Sequence, residues 1–251
     1  MTIYSVSDVH IKYFEEADDV ARREIFLKFL ESIKSDADIL ILNGDIFDLW
    51  IEWKDKCIPE YMPIIEKLKE FSDNGCRLIF LYGNHDFWLG DFLRNELNAE
   101  IYPDQFVETI DEKRLFVTHG DMLTVNDARY HFFRTIIRLP FVRSFVQILP
   151  MEFVLKLGAG MSRTSRKRTK PRRLSDNQGI GLLDFAREHS FKHDLFLMGH
   201  VHSPQIQNVG KAIFINSGDW ITHRTYVKIV DGRPQLIDFE TNEIYPIKEK
   251  K

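Results

Sequence analysis

Cysteine is nearly missing from this chain: only Cys57 and Cys76 occur among 251 residues. One lies near Pro59 and the other leads into a strand-like run, so a disulfide scaffold is not expected and both read as reduced thiols. Long hydrophobic runs are also lacking. Runs such as Ile39-Leu40-Ile41-Leu42 have strand length, and none approaches the roughly 20 apolar residues that cross a bilayer. There is no tract of Gly, Ser, Gln or Pro, which argues against extensive disorder, and no repeat of fixed period. The opening Met1-Thr2-Ile3-Tyr4 has neither a basic n-region nor an apolar h-region, so no export signal is read and the chain is expected in the cytoplasm.

What is present suits a folded body with unevenly placed charge. Apolar residues make up 44% of the chain, 20 of them Phe, and 34 basic side chains face 38 acidic ones. From Ala128 to Arg173, twelve Lys and Arg meet the single acid Glu152. That segment carries +11 in a chain of net −4, so the remainder carries −15. An acidic body bearing a basic insert calls for an anionic partner.

Residues 3–7 read as a strand, and residues 19–33 as a helix through Val20, Ile25, Phe26, Phe29, Leu30 and Ile33. A doubly buried strand at 38–43, a helix at 61–71 and a strand at 77–82 follow. This alternation predicts a parallel sheet covered on both faces. Residues 106–110 and 114–118 flank a turn and read as an antiparallel hairpin. Beyond the insert come a helix at 179–189, a strand at 194–198, and short strands at 204–209, 211–216, 225–230 and 235–239. The expected fold class is α/β, a single domain over 1–251 with a basic, apolar helical insert at 122–176.

The informative polar residues fall just after the predicted strands, where open α/β sheets form their sites. Asp8 and His10 follow the first strand, and point to one side if the chain stays extended. Asn43-Gly44-Asp45-Ile46-Phe47-Asp48 follows the second and Gly83-Asn84-His85-Asp86 the third. His119-Gly120-Asp121 follows the hairpin, and Gly199-His200-Val201-His202 a later strand. Asp8, His10, Asp45, Asn84, His119, His200 and His202 offer oxygen and nitrogen donors without a thiolate, a set suited to two divalent ions such as Mn, Fe or Zn. Glycine recurs beside them, where close backbone approach is expected.

This order of motifs, from Asp8 to His202, resembles the calcineurin-like metallophosphoesterase superfamily. The resemblance implies a four-layer α/β/β/α sandwich. It also implies one metal on Asp8, His10, Asp45 and His202, a second on Asp45, Asn84, His119 and His200, and Asp45 as the bridge. His85 then lies near the scissile phosphate, oriented by Asp48. Two such cations lower the pKa of a shared water toward neutrality. Hydroxide is therefore the expected nucleophile, with His85 as the proton donor or charge stabiliser.

The insert is rich in Phe132, Phe133, Phe141, Phe145 and Phe153, with Arg interleaved. Residues 127–139 and 140–149 read as two amphipathic helices split by Pro140, a lid with an apolar inside and a cationic rim. The alternative is a helical hairpin packed on the sandwich.

Beyond the metal motifs the chain is similar to one branch of the superfamily, the UDP-2,3-diacylglucosamine diphosphatases of lipid A biosynthesis. His119-Gly120-Asp121 continues to Asp127, then Phe132-Phe133-Arg134, Ser165-Arg166-Lys167 and Asp176-Asn177-Gln178. The similarity implies cleavage of the diphosphate to UMP and 2,3-diacylglucosamine 1-phosphate. Asn84, His85, Asp127, Ser165, Thr169, Arg172 and His200 would lie at the substrate. Arg129, Arg134, Arg138, Arg143 and the run 163–173 would meet the diphosphate or the anionic inner-membrane surface, with the enzyme peripheral on its cytoplasmic face. Many members of the branch carry Arg where this chain has His85, which leaves open another lipid-linked or nucleotide diphosphate as substrate. A nuclease using the seven basic residues of 163–173 is the rival. The acidic body and apolar helices disfavour it, and no nucleic acid is expected as partner.

Overall fold

The computed structural model describes residues 1–14, 16–52, 57–125, 128–156 and 177–249. Alternation along the strands builds its layers. In β2 (Ile39–Asn43), Leu40 and Leu42 pack with Phe26, Phe29 and Leu30 of α1 (Ala17–Ile33) and with Ile64 and Leu68 of α2 (Met62–Asp73). Ile39 and Ile41 turn the other way, onto Leu115, Val117, Leu195 and Leu197 of a second sheet. Phe196 and Met198, on the far side of that sheet, meet Leu182, Leu183 and Ala186 of the helix Asn177–Glu188. The layers run helix, sheet, sheet, helix. Burial on both faces is why the first four residues of β2 are all apolar, and each such side chain contributes about 1.5–3 kcal/mol by leaving water.

The first sheet is six-stranded, ordered β11-β10-β1-β2-β3-β4. Here β1 is Thr2–Val6, β3 Arg77–Leu81, β4 Glu100–Tyr102, β10 Thr225–Val230 and β11 Arg233–Asp238. The second is five-stranded, ordered β5-β6-β7-β9-β8, comprising Phe106–Ile110, Lys113–Val117, Leu195–Met198, Ala212–Asn216 and Gln205–Val209 in that order. The parallel sheet expected from the alternation is therefore two mixed sheets. β1 to β4 are parallel, as are β6, β7 and β9, but β5, β8, β10 and β11 join as antiparallel partners. The short Gly-containing turns 209–212 and 230–233 permit hairpins, which a parallel crossover does not allow. α3 (Asp91–Leu97) and β4 are additions that sequence periodicity does not announce, because seven and three residues are too short to establish a period.

One helix start bears directly on the site. Glu16 and Asp19 cap α1 reciprocally. Arg22, 2.8 Å from Asp19 Oδ1, also donates to the His10 carbonyl at 2.9 Å, so the first turns of α1 hold the loop that carries His10.

The described part of the insert comprises α4 (Ala128–Ile137), α5 (Pro140–Ile148) and a helical segment at 151–156. Ile137, Val142, Val146, Leu149 and Val154 pack against Ile51 and Trp88. The opposite face is bare: Phe132 and Phe141 are 69% and 68% exposed, and Phe145 and Phe153 are exposed too. Cys57 and Cys76 are free and buried. Burial pushes their thiols up to about 11 and about 12 respectively. Among the described residues no helix is long and apolar enough to cross a membrane.

Candidate active site

The parallel strands end level with one another, Val6 beside Leu42 and Asn43 beside Leu81 in one sheet, Val117 beside Leu197 and Met198 beside Asn216 in the other. The loops that leave these ends consequently share one edge of the sandwich. The Asn43 side-chain amide donates to the Thr118 carbonyl at 3.1 Å and joins the two sheets there.

Five candidate ligands lie in left-handed backbone: Asp8 (φ 55°), His10 (51°), Asp45 (53°), His200 (67°) and His202 (52°). Such conformations cost a non-glycine residue roughly 1–2 kcal/mol each and persist where the surroundings over-determine them. This corrects the reason for the Asp8 and His10 placement: the chain turns sharply at both residues instead of staying extended. Gly83 supplies the close approach, since a Cβ there would collide with the Asp45 carboxylate and amide. Gly44, at φ 79°, leaves room for His119, whose ring would lie 2.6 Å from an added Cβ.

Asp45 is central. Its Oδ2 lies 3.7 Å from His10 Nε2 and 3.5 Å from His119 Nε2. On one side, Asp8, His10 and His202 each bring a ligand atom within 4.8 Å of the others, and His202 Nε2 is 3.1 Å from Asp8 Oδ1. On the other, Asn84 Oδ1 is 3.3 Å from His119 Nε2 and 2.7 Å from His200 Nδ1. The two expected groups thus meet at Asp45.

Neighbours fix the orientations. His119 Nδ1 donates to the Asn43 carbonyl at 2.9 Å, which turns Nε2 toward Asp45. Ser7 Oγ (2.5 Å) and the His200 amide (2.9 Å) donate to Asp8 Oδ2, freeing Oδ1 for His202. The Asp86 carboxylate accepts from the amides of Gly83, Asp45, Ile46 and Phe47 at 2.8–3.2 Å, bracing the Asp45 loop. Burial and the nearby Asp45 charge raise Asp86 to about 6.

The charges favour a bound cation. Burial opposes the charge on Asp45, but His119 and His85 hold its pKa well below the usual range. Burial also opposes an imidazolium at His119, yet Asp45 and Asp8 raise it to about 10. A divalent ion competes for the place that this proton would take. His10 Nε2 is buried without a hydrogen-bond partner, as an imidazole waiting on a metal should be. The donors are oxygen and nitrogen only, so residues and implied ions fit.

His85 stands beside the cluster with its amide donating to Asp45 Oδ1 at 2.8 Å, while its Nδ1 faces Asp48 at 3.2 Å from the carbonyl and 3.5 Å from Oδ1. Asp127, Ser165, Thr169 and Arg172 lie outside the described residues. Three basic residues of the insert depart from expectation. Arg134 pairs with Asp121 and Asp104 at 2.9 Å each, and Arg143 with buried Glu52 at 3.3 Å. Arg138 donates to the Gly83 carbonyl at 3.2 Å and lies over the Tyr82 ring. These arginines fasten the insert to acids and carbonyls of the body instead of forming a free rim, because an amphipathic helix on an acidic body satisfies its charges locally.

Sequence reasoning gave no role to Asp86 or Asp219. Asp86 sits inside the Gly-Asn-His-Asp motif, and Asp219 follows Asn216-Ser217-Gly218 at the end of β9. The strand-end rule that found the others reaches both.

A buried cluster of carboxylates, imidazoles and an amide at one edge of a two-sheet sandwich defines a metal-dependent phosphoester hydrolase. The chain belongs to the calcineurin-like phosphoesterase family, whose model matches residues 1–204. It is 29% identical to the UDP-2,3-diacylglucosamine hydrolase of Tolumonas auensis, covering 96% of this chain and 98% of that protein. With the Porphyromonas gingivalis protein of the same name the identity is 27%, over 94% of this chain and 96% of the relative. Among solved structures, an archaeal phosphodiesterase shares the fold with a TM-score of 0.52 at 17% identity, covering 95% of this chain and 99% of that one.

Proposed function

We propose that this protein hydrolyses the diphosphate of UDP-2,3-diacylglucosamine to UMP and 2,3-diacylglucosamine 1-phosphate. The observation that carries the reading is the insert's exposed aromatic face beside the donor cluster. The Tyr130 ring of α4 is 6.5 Å from that of His200, while Phe132, Phe141 and Phe145 face solvent. The near full-length likeness to hydrolases of that name supports it.

Asp8, His10, Asp45 and His202 would hold one divalent ion, and Asp45, Asn84, His119 and His200 the other, with Mn²⁺ the ion we favour among Mn, Fe and Zn. When bound, the pair supplies Lewis acidity and a water ionised near neutral pH. The chain's own residues do the rest. With Nδ1 turned to Asp48, His85 keeps Nε2 to give a proton to the leaving phosphate oxygen. Asp86 and Gly83 hold the Asp45 loop so that one carboxylate serves both groups. Asp127, Ser165, Thr169 and Arg172 are the proposed contacts to sugar and diphosphate.

An acyl chain of about a dozen methylenes gains on the order of 10 kcal/mol on leaving water. Such a substrate stays in a bilayer or an apolar pocket. The bare phenylalanines suit either, which favours work as a peripheral protein on the cytoplasmic face of an anionic membrane.

The test compares turnover of UDP-2,3-diacylglucosamine with that of UDP-sugars lacking acyl chains and of bis(p-nitrophenyl) phosphate. Strong preference for the acylated substrate is expected. Equal turnover with and without acyl chains overturns the lipid reading and leaves a nucleotide diphosphate as substrate.

A further inference from the structure

We propose that Asp219 is a positioning residue for His202, turning its imidazole so that Nε2 addresses the metal cluster. The inference rests on His202 being a metal ligand, as proposed above.

His202 is poorly held by packing. Its side chain is 35% exposed, whereas the Asp8 carboxylate that it faces is wholly buried. Its backbone is left-handed, and its ring tilts against that of His10 at 5.3 Å between centroids. An imidazole that binds a cation through one nitrogen must carry its proton on the other, and an acceptor there selects both tautomer and ring orientation. Here Nε2 is 3.1 Å from Asp8 Oδ1, and Nδ1 is 3.8 Å from Asp219 Oδ2. The second distance exceeds a hydrogen bond, so the carboxylate acts through its charge.

Asp219 is itself firmly placed. It is buried at the end of β9. The Thr222 amide donates to its Oδ1 at 2.5 Å, and His223 Nδ1 donates to its Oδ2 at 2.8 Å. The next residue, Trp220, donates its amide to the Asp8 carbonyl at 3.1 Å and buries its ring against Phe26 and Phe29. The segment 219–220 therefore ties the end of β9 to both members of the Asp8 and His202 pair. That is a carboxylate supporting a ligand histidine, built from a loop outside the motifs that supply the ligands.

The test uses the full chain, stripped with a chelator and titrated with Mn²⁺ alone by calorimetry, for wild type, Asp219→Ala and Asp219→Asn. Expected is a 10- to 100-fold loss of affinity at one of two sites in Asp219→Ala. The other site should be unchanged, and Asp219→Asn, which keeps the shape but not the charge, should lose affinity at the same site as Asp219→Ala. Circular dichroism and the melting temperature of Asp219→Asn should match wild type, which separates positioning from folding. Wild-type affinity at both sites in Asp219→Ala overturns the inference while leaving the two-metal reading intact. So does an Asp219→Asn chain that melts early and loses both sites together. A wild-type chain that binds fewer than two Mn²⁺ overturns the two-metal reading itself.

Discussion

His10 and His85 meet edge to face, with ring centroids 4.8 Å apart and their Nδ1 atoms 3.4 and 3.5 Å from the same oxygen, Asp48 Oδ1. A candidate metal ligand and the candidate proton donor are thereby oriented by one carboxylate. Asp48 is the second Asp of Gly-Asp-x-x-Asp, and its reach to both rings makes it more than a partner of His85.

His85→Ala is expected to leave two metals bound while slowing turnover by on the order of 10² to 10⁴, the contribution of a positioned acid. Metal analysis beside steady-state kinetics checks this. A fall to half the metal content would instead make His85 a ligand.

Asp45→Ala removes the carboxylate common to both donor groups. Activity should drop by more than the roughly 100-fold that loss of an outer-shell partner costs, and bound metal should fall below two equivalents. Metal-dependent turnover at the wild-type rate would refute the shared-ligand arrangement.

Phe133→Ser with Phe141→Ser should raise KM for the acylated substrate and spare bis(p-nitrophenyl) phosphate. Both side chains are exposed, so little core packing is lost. Equal loss on the two substrates would show that these residues support the fold.

Glu52 anchors the insert: its carboxylate accepts from the Trp50 indole at 3.1 Å and from Arg143, and its carbonyl accepts from Gln147 at 2.8 Å. Glu52→Ala leaves the buried Trp50 indole without its acceptor, at about 1–3 kcal/mol. Chemical denaturation should register that loss, and hydrogen exchange should rise in α5 before the sheets. Unchanged exchange in α5 would contradict the anchoring role.

Arg114 donates to Asp194 and holds its carboxyl down to about 2, below the usual 3.8. A depressed folded pKa means stability that is present above the unfolded value and is lost as pH falls from about 4 through about 2. Because the pair is partly exposed, the contribution is at most about 1 kcal/mol. Asp194→Asn should lower the melting temperature at pH 7 and narrow its gap to wild type below pH 3. A constant gap across that window would exclude the linkage.

Much of the site was legible because its residues sit at strand ends in short motifs, where residue type and spacing report chemistry directly. Asp8, His10, Asp45, Asn84, His119, His200 and His202 belong to that class. The doubly buried strands were legible for a related reason: burial on both faces demands an unbroken apolar run such as Ile39 to Leu42. Sheet membership was not: short turns mark β8–β9 and β10–β11 as hairpins, but nothing local to β10 says that it pairs with β1. The short α3 and β4 were silent as well, being held by tertiary packing rather than by periodicity.

Donor chemistry and the alternation of strands with helices were thus determined by the sequence itself, because both follow from side-chain identity at local spacing. Only the tertiary structure decided that Asp48 spans His10 and His85, that Asp86 braces the Asp45 loop, and that Asp219 faces His202. It also decided that Arg134, Arg138 and Arg143 are spent on holding the insert. Each of these depends on distances between residues far apart in the chain, which composition and spacing do not encode.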